Sequence, residues 1–113
     1  MKIAKLLVAF ILAFSACLGM AADKAPTLDK NSCGKFEYPK AALINEEAGV
    51  VSLSLLVGAD GTVSDSKLEK SSGSKTLDKA AVKIYSACKY SPAIKDGKSE
   101  QAWTKIEHVW SLT

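Results

Sequence analysis

Ser71-Ser72-Gly73-Ser74-Lys75-Thr76-Leu77-Asp78-Lys79-Ala80-Ala81-Val82-Lys83-Ile84-Tyr85-Ser86-Ala87-Cys88-Lys89-Tyr90-Ser91-Pro92 reads as a turn, a capped helix and a stop. Leu77, Ala81, Ile84 and Cys88 fall at i, i+4, i+7 and i+11, with Ala80 and Ala87 beside them. That spacing lays one apolar stripe along a helix. Lys75, Lys79 and Lys83 form a second stripe, and like charges at i, i+4 repel slightly, so that face is solvated. Ser74 is placed to cap the first turn, and Asp78 to meet the positive end of the helix dipole. Pro92 forbids continuation and pushes Ser91 toward extended geometry. A helix with one oily face must cover something, and the flanking segments say what.

Upstream, Val51, Leu53, Leu55 and Val57 alternate with polar Ser52 and Ser54, the pattern of a half-buried strand over Val50 to Val57. Gly58-Ala59-Asp60-Gly61 then supplies a turn. The next strand runs from Thr62 to about Lys70. Its apolar residues Val63 and Leu68 are out of phase, which predicts a bulge near Ser64–Ser66. Tyr38 to Glu47 reads as a short helix, with Pro39 suited to its first position and Gly49 to its end. It is too short to stand alone, so Ala42 and Leu43 or Ile44 must pack on the rest. Downstream, Ala93 to Ser99 is expected as a loop and Gln101 to Leu112 as the last strand. Ala102, Thr104, Ile106, His108 and Trp110 share one of its faces; Trp103, Lys105, Glu107 and Val109 share the other. The order helix, strand, strand, helix, strand predicts an α+β domain of two layers. Three antiparallel strands form its sheet, and both helices cover one face.

The N-terminal residues have another purpose. Met1-Lys2-Ile3-Ala4-Lys5 is basic, Leu6 to Leu18 is almost wholly apolar, and small residues surround Ala21. Residues 1–21 therefore read as a secretory signal peptide cut after Ala21 or Ala22, placing the mature chain in the periplasm. The apolar run is short for a bilayer span of about 20 residues. A lipoprotein is the alternative: Phe14-Ser15-Ala16 precedes Cys17 as small residues precede an acylated cysteine, and only lipidation there would bring the chain to a membrane. Residues 22–32, polar and without periodicity, are expected as a flexible lead, and residues 33–113 as the domain.

Once Cys17 is removed or acylated, Cys33 and Cys88 remain. An even pair in an exported protein is expected to form a disulfide, the alternative being two free thiols. Removing Lys2 and Lys5 from the 15 basic residues leaves 13, all lysine, against 12 carboxylates, a net charge of +1. With no Arg and no basic face, nucleic acid is not an expected partner.

No convincing catalytic set is present, so no enzyme, cofactor, metal or small-molecule substrate is expected. His108 is the lone histidine and reads as a half-buried packing residue. Ser-x-x-Lys occurs at Ser64, Ser72 and Ser86, but the companion motifs of serine acyl-enzymes are missing. The functional promise lies in the sheet, because an exposed edge can accept an extended peptide as an added strand.

The order of motifs also resembles a known family. Tyr38-Pro39 with Ala42, Gly49-Val50-Val51, Asp60-Gly61-Thr62-Val63, Ser71-Ser72-Gly73, Leu77-Asp78-Lys79-Ala80-Ala81, Tyr90-Ser91-Pro92-Ala93, Asp96-Gly97-Lys98 and Trp110-Ser111-Leu112 look like a TonB C-terminal domain. The resemblance covers roughly Cys33 to Leu112. It implies a periplasmic protein-binding domain that takes the TonB box of an outer-membrane receptor by strand addition, in transport driven by inner-membrane motor proteins. It also implies a partner-binding region before Tyr-Pro and along the last strand. Here those positions are Lys35, Phe36, Glu37 and Tyr38, and Trp103, Lys105, Glu107 and Val109. The stretch Gly34-Lys35-Phe36-Glu37 departs from the Gln-rich version of well-known members. The expected function is a periplasmic TonB-like module linked to transport across the outer membrane. A stand-alone envelope adaptor without an energy-transducing role is the alternative.

Overall fold

The computed structural model describes residues 23–113. The signal peptide expected over residues 1–21 and the alternative acylation at Cys17 lie outside the described residues. The elements are β1 (Thr27–Asp29), a 3-10 turn (Lys30–Ser32), α1 (Lys40–Ile44), β2 (Gly49–Val57), β3 (Val63–Lys70), α2 (Lys75–Ala87), β4 (Lys89–Ser91), β5 (Ala93–Lys95), β6 (Lys98–Glu100) and β7 (Ala102–Trp110). The main sheet has the order β3-β2-β7 with both pairings antiparallel. The predicted α+β architecture is the one observed.

Alternation in β2 builds the core. Val51, Leu53, Leu55 and Val57 are fully buried and join Ala42 of α1 and Leu77, Ala81 and Tyr85 of α2 in one cluster. Burying four aliphatic side chains at about 1.5–3 kcal/mol each makes β2 the strand on which the domain condenses. At its far end the turn is set by Asp60, whose Oδ1 accepts from the Thr62 N–H at 3.0 Å and from the Thr62 hydroxyl at 2.7 Å. Those hydrogen bonds hold the Asp60 carboxyl below its ordinary range.

β3 returns with two irregularities. Val57 faces Val63 while Leu56 faces Asp65, so Ser64 is the extra residue; Leu53 faces Leu68 while Ser52 faces Lys70, so Glu69 is a second. The first lies within the predicted stretch and brings Val63 and Leu68 onto one face. Leu68 is still 48% exposed, because β3 lies at the sheet edge.

α2 begins as predicted: the Ser74 hydroxyl accepts from the Leu77 N–H at 3.2 Å. Its buried face differs from the predicted stripe. Leu77, Asp78, Ala81 and Tyr85 are buried, Ala80 and Ile84 partly so, and Ala87 is exposed. An i, i+4, i+8 row through Tyr85 thus wins over the row through Ile84, because the larger ring fills more of the space over the sheet. Asp78 is buried rather than serving the dipole from the surface. Its carboxylate accepts from the Ser72 N–H at 2.9 Å, the Ser72 hydroxyl at 2.7 Å and the Ser71 hydroxyl. Desolvation opposes its ionisation, yet the hydrogen bonds to Ser71 and Ser72 outweigh it and lower its pKa from 3.8.

Two stretches expected to be irregular are ordered. In the lead, Thr27–Asp29 pairs antiparallel with Lys89–Ser91. Lys24 and Ile94 also exchange backbone hydrogen bonds of 2.8 and 3.0 Å. A three-residue strand needs only Leu28 against the core, which leaves no period to read. In the expected loop 93–99, β5 and β6 form a hairpin across Asp96-Gly97, with φ of +53° and +78°. A two-residue turn with both φ positive matches the twist of a hairpin.

Candidate functional site

β7 pairs with β2 on one side, and no described strand lies on its other side. Its nine-residue ladder with β2, from Gly49 opposite Trp110 to Val57 opposite Ala102, has no register shift. One edge of the sheet is therefore regular and open.

The two faces of β7 differ. Ala102, Thr104, Ile106, His108 and Trp110 face the helices, opposite Val57, Leu55, Leu53, Val51 and Gly49. Trp103, Lys105, Glu107 and Val109 face outward and all four are exposed. Trp103 lies under Lys67, whose Nζ is 4.8 Å from the ring centroid. A depression of about 330 Å³ lies against this part of the sheet, lined by Ser52, Leu53, Glu69, Lys105, Ile106 and Glu107. In its wall the Ser54 hydroxyl donates to Glu69 at 2.6 Å.

The segment before Tyr38-Pro39 lies on the opposite face. The sulfurs of Cys33 and Cys88 are 2.05 Å apart, at disulfide distance, so the start of this segment is tied to the end of α2. Phe36 stacks 5.5 Å from the Tyr85 ring and sits 5.4 Å from His108. Tyr38 meets Trp110 edge-on at 5.1 Å, and its hydroxyl donates to the Glu47 carbonyl. Lys35 and Glu37 point into solvent. Thus the eight candidate residues do not form one patch. Phe36 and Tyr38 pack against the inner-face aromatics, whereas Trp103, Lys105, Glu107 and Val109 occupy the outer face. The edge of β7 lies between the two groups.

Two residues that hold this region together were not legible as a pair. The Tyr85 hydroxyl is 2.7 Å from Nδ1 of His108, and His108 meets Trp110 at 4.5 Å. His108 is the half-buried packing residue expected, and burial lowers its pKa from 6.5. Tyr85 could have been found as the i+8 position from Leu77, facing the same way. Deeper in, Tyr90 donates to the Tyr85 carbonyl at 2.7 Å, and burial pushes its pKa up to about 12. The Trp110 indole N–H is buried without an acceptor among the described residues. Among the described residues, no three His, Cys, Asp or Glu side chains gather to hold a metal ion.

Residues 34–112 match the family model for the C-terminal region of the Gram-negative bacterial TonB protein. The chain belongs to the TonB C-terminal family. Solved TonB C-terminal domains share its fold. A domain from Helicobacter pylori is 32% identical, with a TM-score of 0.57 over 74% of this chain and 77% of that one. The TonB C-terminal domain of Pseudomonas aeruginosa also superposes with a TM-score of 0.57 at 18% identity, over 67% of this chain and 77% of that one. Among curated proteins, protein tonB2 of Pseudomonas aeruginosa is 37% identical over 62% of this chain and 26% of its own length. Protein TonB of Haemophilus influenzae is 53% identical over 40% of this chain and 17% of its own length. The match thus spans about a quarter or less of these curated relatives. No helix among the described residues is long and apolar enough to cross a membrane.

Proposed function

We propose that this TonB C-terminal domain is a periplasmic protein-binding module. It takes an extended segment of a partner, the TonB box of an outer-membrane receptor, as a strand added along β7, in transport across the outer membrane. The observation that supports this reading is the open, shift-free edge of β7. Such an edge offers a row of backbone donors and acceptors to an incoming strand. Side chains on either side give that strand something to meet: Trp103, Lys105, Glu107 and Val109 on one face, Phe36 and Tyr38 packed beside the other. Lys35 and Glu37 extend the charged surface next to Phe36. Export rests on the signal peptide of residues 1–21, with lipid anchoring at Cys17 as the alternative.

Titration of the purified protein with receptor TonB-box peptides tests the reading. Saturable binding is expected, with amide exchange slowed along residues 102–110. Absence of binding by every box peptide, while an unrelated envelope protein co-purifies, would favour the adaptor reading instead. The mass of the mature protein tests localisation: a start at Ala22 or Asp23 fits the soluble form, and a start at Cys17 with acyl chains fits the anchored one.

A further inference from the structure

We propose that β4 and β5 form a second strand-accepting edge, away from β7, and that the chain's own lead occupies it as a replaceable strand. The lead stands there in place of a partner segment: an extended peptide carrying proline and, two residues on, a branched aliphatic side chain. The lead itself shows what the edge selects. Thr27 lies opposite Ser91, Leu28 opposite Tyr90 and Asp29 opposite Lys89, and Lys24 lies opposite Ile94 in the same register. One antiparallel alignment therefore runs the length of β4 and β5. At its start the Asp96 N–H donates to Asp23 Oδ1 at 3.2 Å, and at its end the Lys89 N–H donates to the Ser32 hydroxyl at 2.7 Å. Alternation supplies the specificity. Pro26 is buried and Leu28 half-buried against the core, whereas Ala25, Thr27 and Asp29 are exposed.

The opposite side of this edge is already taken. β5 pairs there with β6, and the Tyr90 N–H is bonded to the Gly61 carbonyl. The lead is thus the outer strand, and three features make it replaceable. The shared register sets Pro26 opposite Pro92, and neither has an N–H, so the ladder lacks two donors at its middle. Only two of its side chains turn inward. Its one covalent cross-tie, Cys33 to Cys88, lies beyond its C-terminal end.

The tether sets the terms of exchange. A segment held by a short linker acts at a roughly millimolar effective concentration. A free strand of equal affinity at micromolar concentration is therefore kept out, while one that fills the Pro26 and Leu28 positions better gets in. The edge is closed to weak strands and open to a fitting one. This inference does not rest on strand addition at β7, and its test reads a different stretch of backbone, so either can fail alone.

The test adds a labelled synthetic peptide with the sequence of residues 23–31 to the purified protein and to its Leu28→Asp variant. The substitution sets a carboxylate against the core and is expected to free the lead, read as faster amide exchange over residues 24–29. The variant is expected to bind the peptide at least about tenfold more tightly than the wild type, with exchange slowed over residues 89–95. The same peptide carrying Leu28→Asp is expected not to bind. Leu28→Ala, which removes the contact without adding charge, is expected to give intermediate uptake and covers the case in which the charged variant loses its fold. Equal peptide affinity in wild type and variants overturns the proposal. So does a freed lead with no peptide uptake, a lead as protected in both variants as in the wild type, or protection that appears over residues 102–110 instead of 89–95.

Discussion

Tyr85 in α2 and His108 in β7 are joined side chain to side chain, hydroxyl to Nδ1 at 2.7 Å. The bond ties the helix to the strand that forms the open edge. It also uses the ring nitrogen that a neutral imidazole can offer as an acceptor.

The first consequence is a pH dependence. Burial lowers the folded-state pKa of His108 below its ordinary 6.5, so between the two values the unfolded chain binds the extra proton. Stability from this group is complete above about pH 6.5 and declines as pH falls through that value toward the folded pKa. Thermal melts from pH 8 to pH 5 are expected to show this decline. His108→Gln is expected to flatten that part of the curve. An equally steep decline in the variant would assign it to other groups. Tyr85→Phe, which removes only the hydroxyl, is expected to cost about 1 kcal/mol.

Asp78 is the second point of vulnerability. It accepts from both Ser71 and Ser72 while buried under the hairpin exit. Asp78→Ala leaves those donors without their acceptor and is expected to cost about 2–3 kcal/mol in urea unfolding. Asp78→Asn, which keeps the size but loses the charge, should fall between. A change below about 0.5 kcal/mol for Asp78→Ala, the size of a typical surface substitution, would show the network to be dispensable.

For the sulfur pair, the sequence separation is 55 residues. Closing such a loop in the unfolded state corresponds to roughly 4 kcal/mol on the chain-entropy model. The variant with both Cys33→Ser and Cys88→Ser is expected to melt lower and to exchange amides 34–38 faster. Intact mass under non-reducing alkylation is the direct check. Two alkylated thiols in the unreduced protein would remove the cross-link from the account.

Gly61 tests the turn. Its φ is +86°, and a Cβ there would collide with the Tyr90 carbonyl oxygen. The Tyr90 N–H donates to the Gly61 carbonyl at 2.9 Å, so neither backbone can retreat without losing that bond. Gly61→Ala is expected to cost more than about 1 kcal/mol. Gly97→Ala has a similar φ of +78° but open space around it, and should cost less.

Much of this architecture was legible because it rests on periodicity. The alternation of Val51, Leu53, Leu55 and Val57 identifies the central strand, and Ser74 with Pro92 brackets the long helix. The exact buried row of that helix was not legible, since both Ile84 and Tyr85 are apolar enough to face inward. β1 and the β5–β6 hairpin escaped for a different reason. They are held by backbone pairing to β4 and to each other, and such short ladders leave almost no side-chain pattern. The candidate site was half visible. β7 and its two faces follow from alternation alone, but the contacts of Phe36 with Tyr85 and His108 depend on tertiary closure across the sulfur pair.

That pair has one further consequence, for how the domain lengthens when its ends are drawn apart. Tension entering at the lead reaches Cys33, crosses to Cys88 and continues toward β7. The stretch between them, a sequence separation of 55 that contains α1, β2, β3 and α2, is bypassed. Roughly 190 Å of extended chain is thereby withheld, at about 3.5 Å per residue. A pull that strips β7 from β2 would unravel the ends of the chain and leave that ring closed, with β2, β3 and both helices still within it.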